Sequence, residues 1–234
     1  MIQPFFDQYP RFQETSRTTP QLNRLNSRYA ALIDRHRGLL KGARALDLAS
    51  HDGRWSFAAL KSGVARVTGV EGRQYLIDNA NQTFREYGVD SSTFRFIQGD
   101  VRDIANLFAP SEFDVIFIFG ILYHVPDPMG LLQAAAALGP RQIIIDTHIS
   151  TLEAAVIELR YDEPVKESDA IPSPEGKERV IVGYPSVAAM RMVLDNLGYA
   201  SELIDYAAVG VTDWSFIEDY MTGIRVSMLA EKNS

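Results

Sequence analysis

The chain has 234 residues, 46% of them hydrophobic, a formal net charge of −7 and no cysteine. That length can bury one well-formed domain, and the missing cysteines exclude disulfide and thiolate chemistry. The longest apolar run, Val115 to Leu122, is far short of the ~20 residues that span a bilayer, and Phe5-Phe6 is followed at once by Asp7, Gln8 and Pro10 rather than by a signal core, so a soluble, cytoplasmic protein is expected.

Charge is unevenly placed along the chain. Residues 1 to 44 carry eight basic groups against three acidic ones, a balance of +5 that leaves −12 on the remainder. Within this arm Leu22, Leu25, Tyr29, Leu32 and Ile33 fall near helical spacing and predict an amphipathic helix, preceded by an irregular stretch around Thr15 to Pro20. Residues 1–43 are read either as a packing helix with a solvated arginine face or as a lid over an anionic substrate. As a lid, Arg17, Asn23, Arg24 and Arg28 could reach the site.

From residue 44 the pattern changes to apolar runs alternating with amphipathic ones. Ala45-Leu46-Asp47-Leu48 predicts a strand that enters a tight polar turn, Ala49 to Gly53, and then a helix beginning near Trp55. A second strand, Val67 to Val70, ends on Glu71-Gly72, close to the ~20-residue spacing at which nucleotide-binding sheets place a ribose-binding carboxylate. Thr93 to Gln98 runs into Gly99-Asp100-Val101, Phe113 to Phe119 runs into Gly120 and on to His124, and, after a helix from Pro128 to Leu138, Gln142 to Ile145 runs into Asp146-Thr147-His148. Each apolar run ends in polar or small residues at its carboxyl end, where open parallel sheets bind ligands, and the alternation is that of a doubly wound α/β fold. The structural alternative for each acid is an N-cap at a strand-to-helix junction.

These residues resemble the class I S-adenosylmethionine-dependent methyltransferases from about Arg44 to Lys232. The family's first motif usually reads Asp-x-Gly-x-Gly-x-Gly; here it is Asp47-Leu48-Ala49-Ser50-His51-Asp52-Gly53, with the last glycine kept. The resemblance implies a Rossmann-like seven-stranded sheet over residues 44–234, closed by an antiparallel pair near Ser201–Tyr206 and Arg225–Ala230. It also implies S-adenosyl-L-methionine as cofactor, held by Asp47, Ala49, Ser50, His51, Gly53, Trp55, Glu71, Gly72, Asp100, Val101, Phe119, Gly120 and Leu122. Glu71 is the expected ribose anchor, because one carboxylate can accept from two vicinal hydroxyls. Asp100 is placed at the adenine edge with Val101 over the ring, and Asp47 at the turn or facing the methionine ammonium through water.

Residues 151–184 interrupt the alternation. Two strand-like runs, Ala155–Tyr161 and Arg179–Tyr184, flank a polar segment with Pro164, Pro172, Pro174 and Gly176, and read as an inserted hairpin or flap with a mobile middle. With Gly120-Ile121-Leu122-Tyr123-His124 upstream and Tyr184-Pro185-Ser186 downstream, the segment is similar to the wobble-uridine carboxymethyltransferases of tRNA, in which the tyrosine matched by Tyr123 helps select a carboxylated cofactor. Val125-Pro126-Asp127-Pro128 stands where those relatives carry arginines, so neither tRNA nor the carboxylated cofactor is carried over.

His51, His124 and His148 fall at the predicted ends of strands one, four and five, around one crevice. A neutral imidazole there can take a proton from an oxygen nucleophile, with His124 the first choice of general base and His148 the second. Tyr123 completes the expected catalytic set, and Arg24, Arg28, Tyr123, Asp146 and Arg160 the acceptor-binding set; no metal is expected. The leading expectation is methylation of a hydroxyl or carboxyl of a small metabolite, glycan or natural product, without nucleic acid or membrane. A tRNA-modifying enzyme and a non-catalytic cofactor-binding protein are the alternatives.

Overall fold

The computed structural model describes residues 2–15, 18, 20–163 and 178–233. Its elements are α1 (Arg11–Glu14), α2 (Leu22–Leu32), α3 (Arg37–Leu40), β1 (Arg44–Leu48), α4 (Arg54–Lys61), β2 (Arg66–Glu71), α5 (Gln74–Glu86), β3 (Phe94–Gln98), α6 (Ile104–Leu107), β4 (Val115–Phe119), α7 (Pro128–Ala137), β5 (Gln142–His148), β6 (Ile157–Asp162), β7 (Val180–Pro185), α8 (Val187–Asn196), β8 (Tyr199–Leu203), α9 (Glu218–Met221) and β9 (Arg225–Lys232). The main sheet has the order β3-β2-β1-β4-β5-β9-β8. Pairing is parallel from β3 to β5, and β9 runs antiparallel to both β5 and β8.

The central strands read as continuous apolar runs because both faces of the sheet are covered. Phe117 and Phe119 of β4 face one core, with Ala45, Val67 and Ile144, while Ile116 and Ile118 face the other, with Leu46, Leu48 and Ile145. Strand order reverses between β1 and β4, so the carboxyl edge between them is the crevice where such sheets take ligands.

Residues before β1 belong to the first core rather than to a separate arm. Phe5, Phe6, Phe12 and Tyr29 are buried in it with Trp55 and Phe57 of α4. The expected helix is α2, but a 3-10 turn at Phe6–Gln8 and the short α1 precede it, pinned by aromatic contacts such as Phe5 stacked 4.1 Å from Tyr29 and Tyr9 edge-on 4.6 Å from Phe57. Among the described residues, five of the eight basic groups of this segment are ion-paired, four of them with acids that lie later in the chain. Arg11 pairs with Glu86, Arg24 with Asp219, Arg28 with Asp146, Arg37 with Asp34 and Arg44 with Asp114.

The inserted segment folds into a separate antiparallel hairpin of β6 and β7. It docks on the loop after β4: Gly183 donates to the Val125 carbonyl at 2.9 Å, and a Cβ at Gly183 would stand 2.8 Å from Pro128 Cδ. Val125-Pro126-Asp127-Pro128 has a local structural cause, since Asp127 caps α7 by accepting from Gly130 N and Pro128 opens the helix. Residues 164–177, on which the mobile middle was expected, lie outside the described residues, as does Arg17. Strand β8 starts at Tyr199, two residues before the expected position, because Gly198 at φ +81° ends the α8 turn immediately.

Candidate active site

The loop after β1 keeps a glycine-type backbone where two glycines are missing. Ala49 (φ 57°), His51 (φ 53°) and Gly53 (φ 77°) all lie in the left-handed region. Only glycine adopts this without strain, so the path of the loop is held by its surroundings. Asp47, buried beneath it, accepts from Ser56 Oγ at 2.7 Å and ties β1 to the first turn of α4. Burial pushes the Asp47 carboxyl up to about 7, against the Ser56 hydrogen bonds and with help from Asp52 and Glu71. Asp52 is held far below the usual carboxylate range: burial opposes this, but the Arg54 guanidinium at 2.7 Å outweighs it. Ser50 is buried under the loop, and a Cβ on Gly69 would stand 2.6 Å from its Oγ.

Glu71, at the end of β2 and 2% exposed, fastens this loop to the next strand. One carboxylate oxygen accepts from His51 N at 3.1 Å; the other accepts from Arg73 N at 3.0 Å and Arg73 Nε at 2.8 Å. Three of its roughly four acceptor positions are therefore engaged, which leaves capacity for one further donor and corrects the expectation of a fully available bidentate carboxylate. Asp100 caps the turn after β3 through Arg102 N at 2.8 Å, and both its oxygens also bind the Arg102 guanidinium. Val101 and Leu122 are buried in the second core, Phe119 in the first, and Gly72 and Gly120 stand at the ends of β2 and β4. Trp55 lies edge-on to Phe119 with centroids 5.9 Å apart.

Beyond β4 and β5 is a polar cavity of about 390 Å³ lined by Tyr123, His124, His148, Ile149, Thr151, Arg160, Asp162, Tyr184 and Ile224. Tyr123 and His124 come from the one-turn helix after β4, His148 from the end of β5, and Arg160, Asp162 and Tyr184 from the hairpin. The Tyr123 ring lies 4.0 Å from that of His124 and 4.8 Å from that of His148. His124 Nδ1 is 3.9 Å from Asp162 Oδ2. His148 Nδ1 lies 3.3 Å from the Ile224 carbonyl, which can only accept, so Nε2 carries the free lone pair. Burial, reinforced by Arg225, lowers the His148 pKa to about 4. Thus His124 and His148 share one cavity with Tyr123 and Arg160, whereas His51 lies on the Glu71 side of the sheet, its Nδ1 3.5 Å from Asp52.

The remaining expected acceptor residues are engaged elsewhere. Arg24 makes a two-pronged pair with Asp219, 2.7 Å on each side. Asp146, wholly buried, accepts from Arg28 Nη2 at 3.0 Å, Tyr220 OH at 2.7 Å, Ser227 Oγ at 2.9 Å and Arg225. Burial alone would raise the Asp146 carboxyl, but Arg225 and Arg28 hold it far below its usual range. Its negative charge therefore faces guanidinium groups, not the cavity. Among the described residues no group of three or more His, Asp or Glu side chains is placed to hold a metal.

Asp162, Tyr184 and Arg225 are not among the site residues expected from sequence, although Tyr184 opens the motif quoted there. Arg225 sits opposite His148 in the β5–β9 register, a pairing that only strand order reveals. Asp162 ends β6, where alternation from Arg160 puts it on the same face of the strand.

Residues 45–140 match the family described as "Methyltransferase domain". Among curated proteins, the chain is 33% identical over 102 residues to the tRNA U34 carboxymethyltransferase of Alteromonas mediterranea, covering 42% of this chain and 30% of that one. It is 34% identical over 102 residues to the ubiquinone biosynthesis O-methyltransferase of Actinobacillus pleuropneumoniae, covering 42% of each chain. The chain thus spans half or less of the length of the curated relatives it matches. Among solved structures, the N-terminal domain of EvdMO1, crystallised in the presence of SAH and D-fucose, aligns with a TM-score of 0.64 at 21% identity over 88% of this chain and 83% of that one. Magnesium protoporphyrin IX methyltransferase of Synechocystis PCC 6803 with bound SAM aligns at 0.56 and 15% identity, over 95% and 80%. Residues 45–140 are therefore similar to a methyltransferase domain, and the chain has the fold of the class I S-adenosylmethionine-dependent methyltransferases.

Proposed function

We propose that the chain is an S-adenosylmethionine-dependent methyltransferase that modifies a hydroxyl or carboxyl oxygen of a small polar acceptor, a metabolite, glycan or natural product. The observation that carries this reading is the polar cavity with two histidines at the ends of β4 and β5, on the same sheet edge as the left-handed β1 loop and the buried Glu71. The residues present fit the cofactor: Glu71 retains capacity for a ribose hydroxyl, and Ala49, His51 and Gly53 give the β1 loop the left-handed backbone that glycines of the family's motif would supply. Bound there, S-adenosylmethionine supplies an electrophilic methyl group on a sulfonium.

The chain's own residues would do the rest. Tyr123 and Tyr184 wall the acceptor, and His124 takes its proton, with Asp162 placed to stabilise the imidazolium as it forms. His148, with its low pKa, stays neutral and is too weak a base for that task; it orients the acceptor by accepting a hydrogen bond at Nε2. The lining is more polar than a lipid tail requires, which supports a glycan-like or similarly hydroxylated acceptor, and the D-fucose named with the EvdMO1 domain is of that chemistry.

A tRNA acceptor is the second reading, favoured by the relatives named for it. The ion-paired arginines of the amino-terminal segment weigh against it, since a nucleic-acid enzyme presents a continuous basic surface. Calorimetry with S-adenosylhomocysteine tests the cofactor. Glu71→Ala should weaken binding about 10- to 100-fold, the scale of a lost charge-assisted hydrogen bond; unchanged affinity in a folded variant rejects the site. A labelled-methyl screen that finds transfer to tRNA and to no small acceptor would reverse the choice of substrate.

A further inference from the structure

We infer that the free edge of β6 is a homodimer interface, at which two copies of the chain join their β6–β7 hairpins into one antiparallel sheet centred on Leu159. The inference is independent of the cofactor and acceptor readings. It rests on backbone register, exposure and charge.

Only one edge of β6 is paired. Ser186 N donates to the Val156 carbonyl at 2.9 Å, so Val156 turns its backbone groups towards β7, and along the antiparallel register Glu158 and Arg160 do the same. The residues between them point their N–H and C=O groups the other way. Their opposite numbers agree with this. Pro185, opposite Ile157, has no N–H to give, and its carbonyl accepts from Ser150 N; Gly183, opposite Leu159, donates to the Val125 carbonyl. Strand β7 thus uses its outer edge to dock on the body of the molecule. Ile157, Leu159 and Tyr161 send their backbone groups outward from β6, and among the described residues no backbone group meets them. The same side chains are exposed, Ile157 at 37%, Leu159 at 61% and Tyr161 at 66%, with Ile181 at 46% opposite Tyr161. A bare edge with apolar side chains is a template for a further strand, and soluble proteins normally blunt it.

Charge selects both the partner strand and its register. In a two-fold antiparallel pairing centred on Leu159, every outward residue finds an outward counterpart: Leu159 faces the partner's Leu159, Ile157 faces the partner's Tyr161, and Tyr161 faces the partner's Ile157. This register sets Glu158 opposite the partner's Arg160 and Arg160 opposite the partner's Glu158. Sliding one strand by two residues in one direction opposes Glu158 to the partner's Glu158. Sliding it in the other opposes Arg160 to the partner's Arg160 and Glu158 to the partner's Asp162. Like charges directly opposite one another destabilise a ladder. The register with the most backbone pairing is therefore the one whose charges match, as self-recognition requires. Within one copy Arg160 Nε already donates to Glu158 Oε1 at 2.9 Å, and the guanidinium lies 4.1 Å from the Tyr184 ring, so these side chains are ordered before association. Arg160 also lines the polar cavity, which puts the joint at the wall of the candidate acceptor site.

Sedimentation velocity over a concentration series tests the interface. Wild type should form a reversible dimer. Leu159→Pro removes an outward N–H and leaves the ladder to β7 intact, and should weaken the dimer about 10-fold. Glu158→Arg and Arg160→Glu each put like charges opposite one another and should weaken it about 10- to 100-fold; the double exchange restores opposite charges and should dimerise about as well as wild type. Deuterium exchange should find the Leu159 amide slow in the dimer and fast on dilution. Circular dichroism melts show which variants are folded, and if Leu159→Pro disrupts the hairpin the charge exchanges decide. The inference is overturned if wild type stays monomeric up to its solubility limit, if both folded single-charge variants dimerise as wild type does, which places the interface elsewhere, or if the folded double exchange fails to recover the dimer.

Discussion

Replacing Ala49 with glycine should stabilise this protein, although the same exchange destabilises almost everywhere else. Ala49 is held at φ 57° in the turn between β1 and α4. The left-handed conformation costs a non-glycine residue about 1–2 kcal/mol. Glycine removes that strain but adds unfolded-state freedom worth about 0.5–1 kcal/mol, so the expected net gain is about 0.5–1 kcal/mol. For a chain of this size that raises the melting temperature by roughly 1–4 °C. The control is Ala134→Gly, inside α7 at φ of ordinary helix, where glycine should cost about 1 kcal/mol. Urea unfolding read by circular dichroism resolves the two if both give wild-type slopes. Equal destabilisation by both exchanges would show that the β1 loop does not hold a left-handed residue at 49, and the argument that it preserves a glycine-type path would fall with it.

His124→Gln should lower turnover about 10²- to 10⁴-fold, leaving cofactor affinity within a few-fold; His148→Gln should mainly raise KM, and the reverse pattern moves the base to β5. Below pH ~6.5 stability should fall, because the unfolded chain protonates His36 while burial, aided by Arg35, holds the folded group at about 4. The slope is up to ~1.4 kcal/mol per pH unit until pH 4 is passed, and His36→Gln should flatten it. Asp47 acts with the opposite sign: its folded carboxyl titrates at about 7, so it contributes stability at low pH that is lost as pH rises towards 7, and Asp47→Asn should steepen the acid loss. Gly183→Ala puts a Cβ 2.8 Å from Pro128 Cδ and 3.1 Å from the Pro126 carbonyl; it should loosen the hairpin, seen as faster proteolytic nicking between β6 and β7 with little change in adenosyl-ligand binding.

Local chemistry by itself determined the α/β class, the five parallel strands, the turn from Asp47 to Gly53 and the acid at Glu71, because burial on both faces leaves continuous apolar runs and because strand ends carry their polar residues in sequence. It also placed the histidines at strand ends, since those positions follow directly from where each apolar run stops. Long-range pairing decided the rest. The basic arm looked free to meet an anion because Asp146, Asp219 and Glu86, which neutralise Arg28, Arg24 and Arg11, are far away in the chain. Asp146 looked available for an acceptor because nothing local reveals that β9 lies beside β5 and brings Arg225 and Ser227 onto it. Asp162 and Tyr184 joined the cavity only when β7 docked on the loop after β4 through Gly183. Electrostatic partners and cavity walls are set by distances in space, and periodicity along a chain carries no record of them.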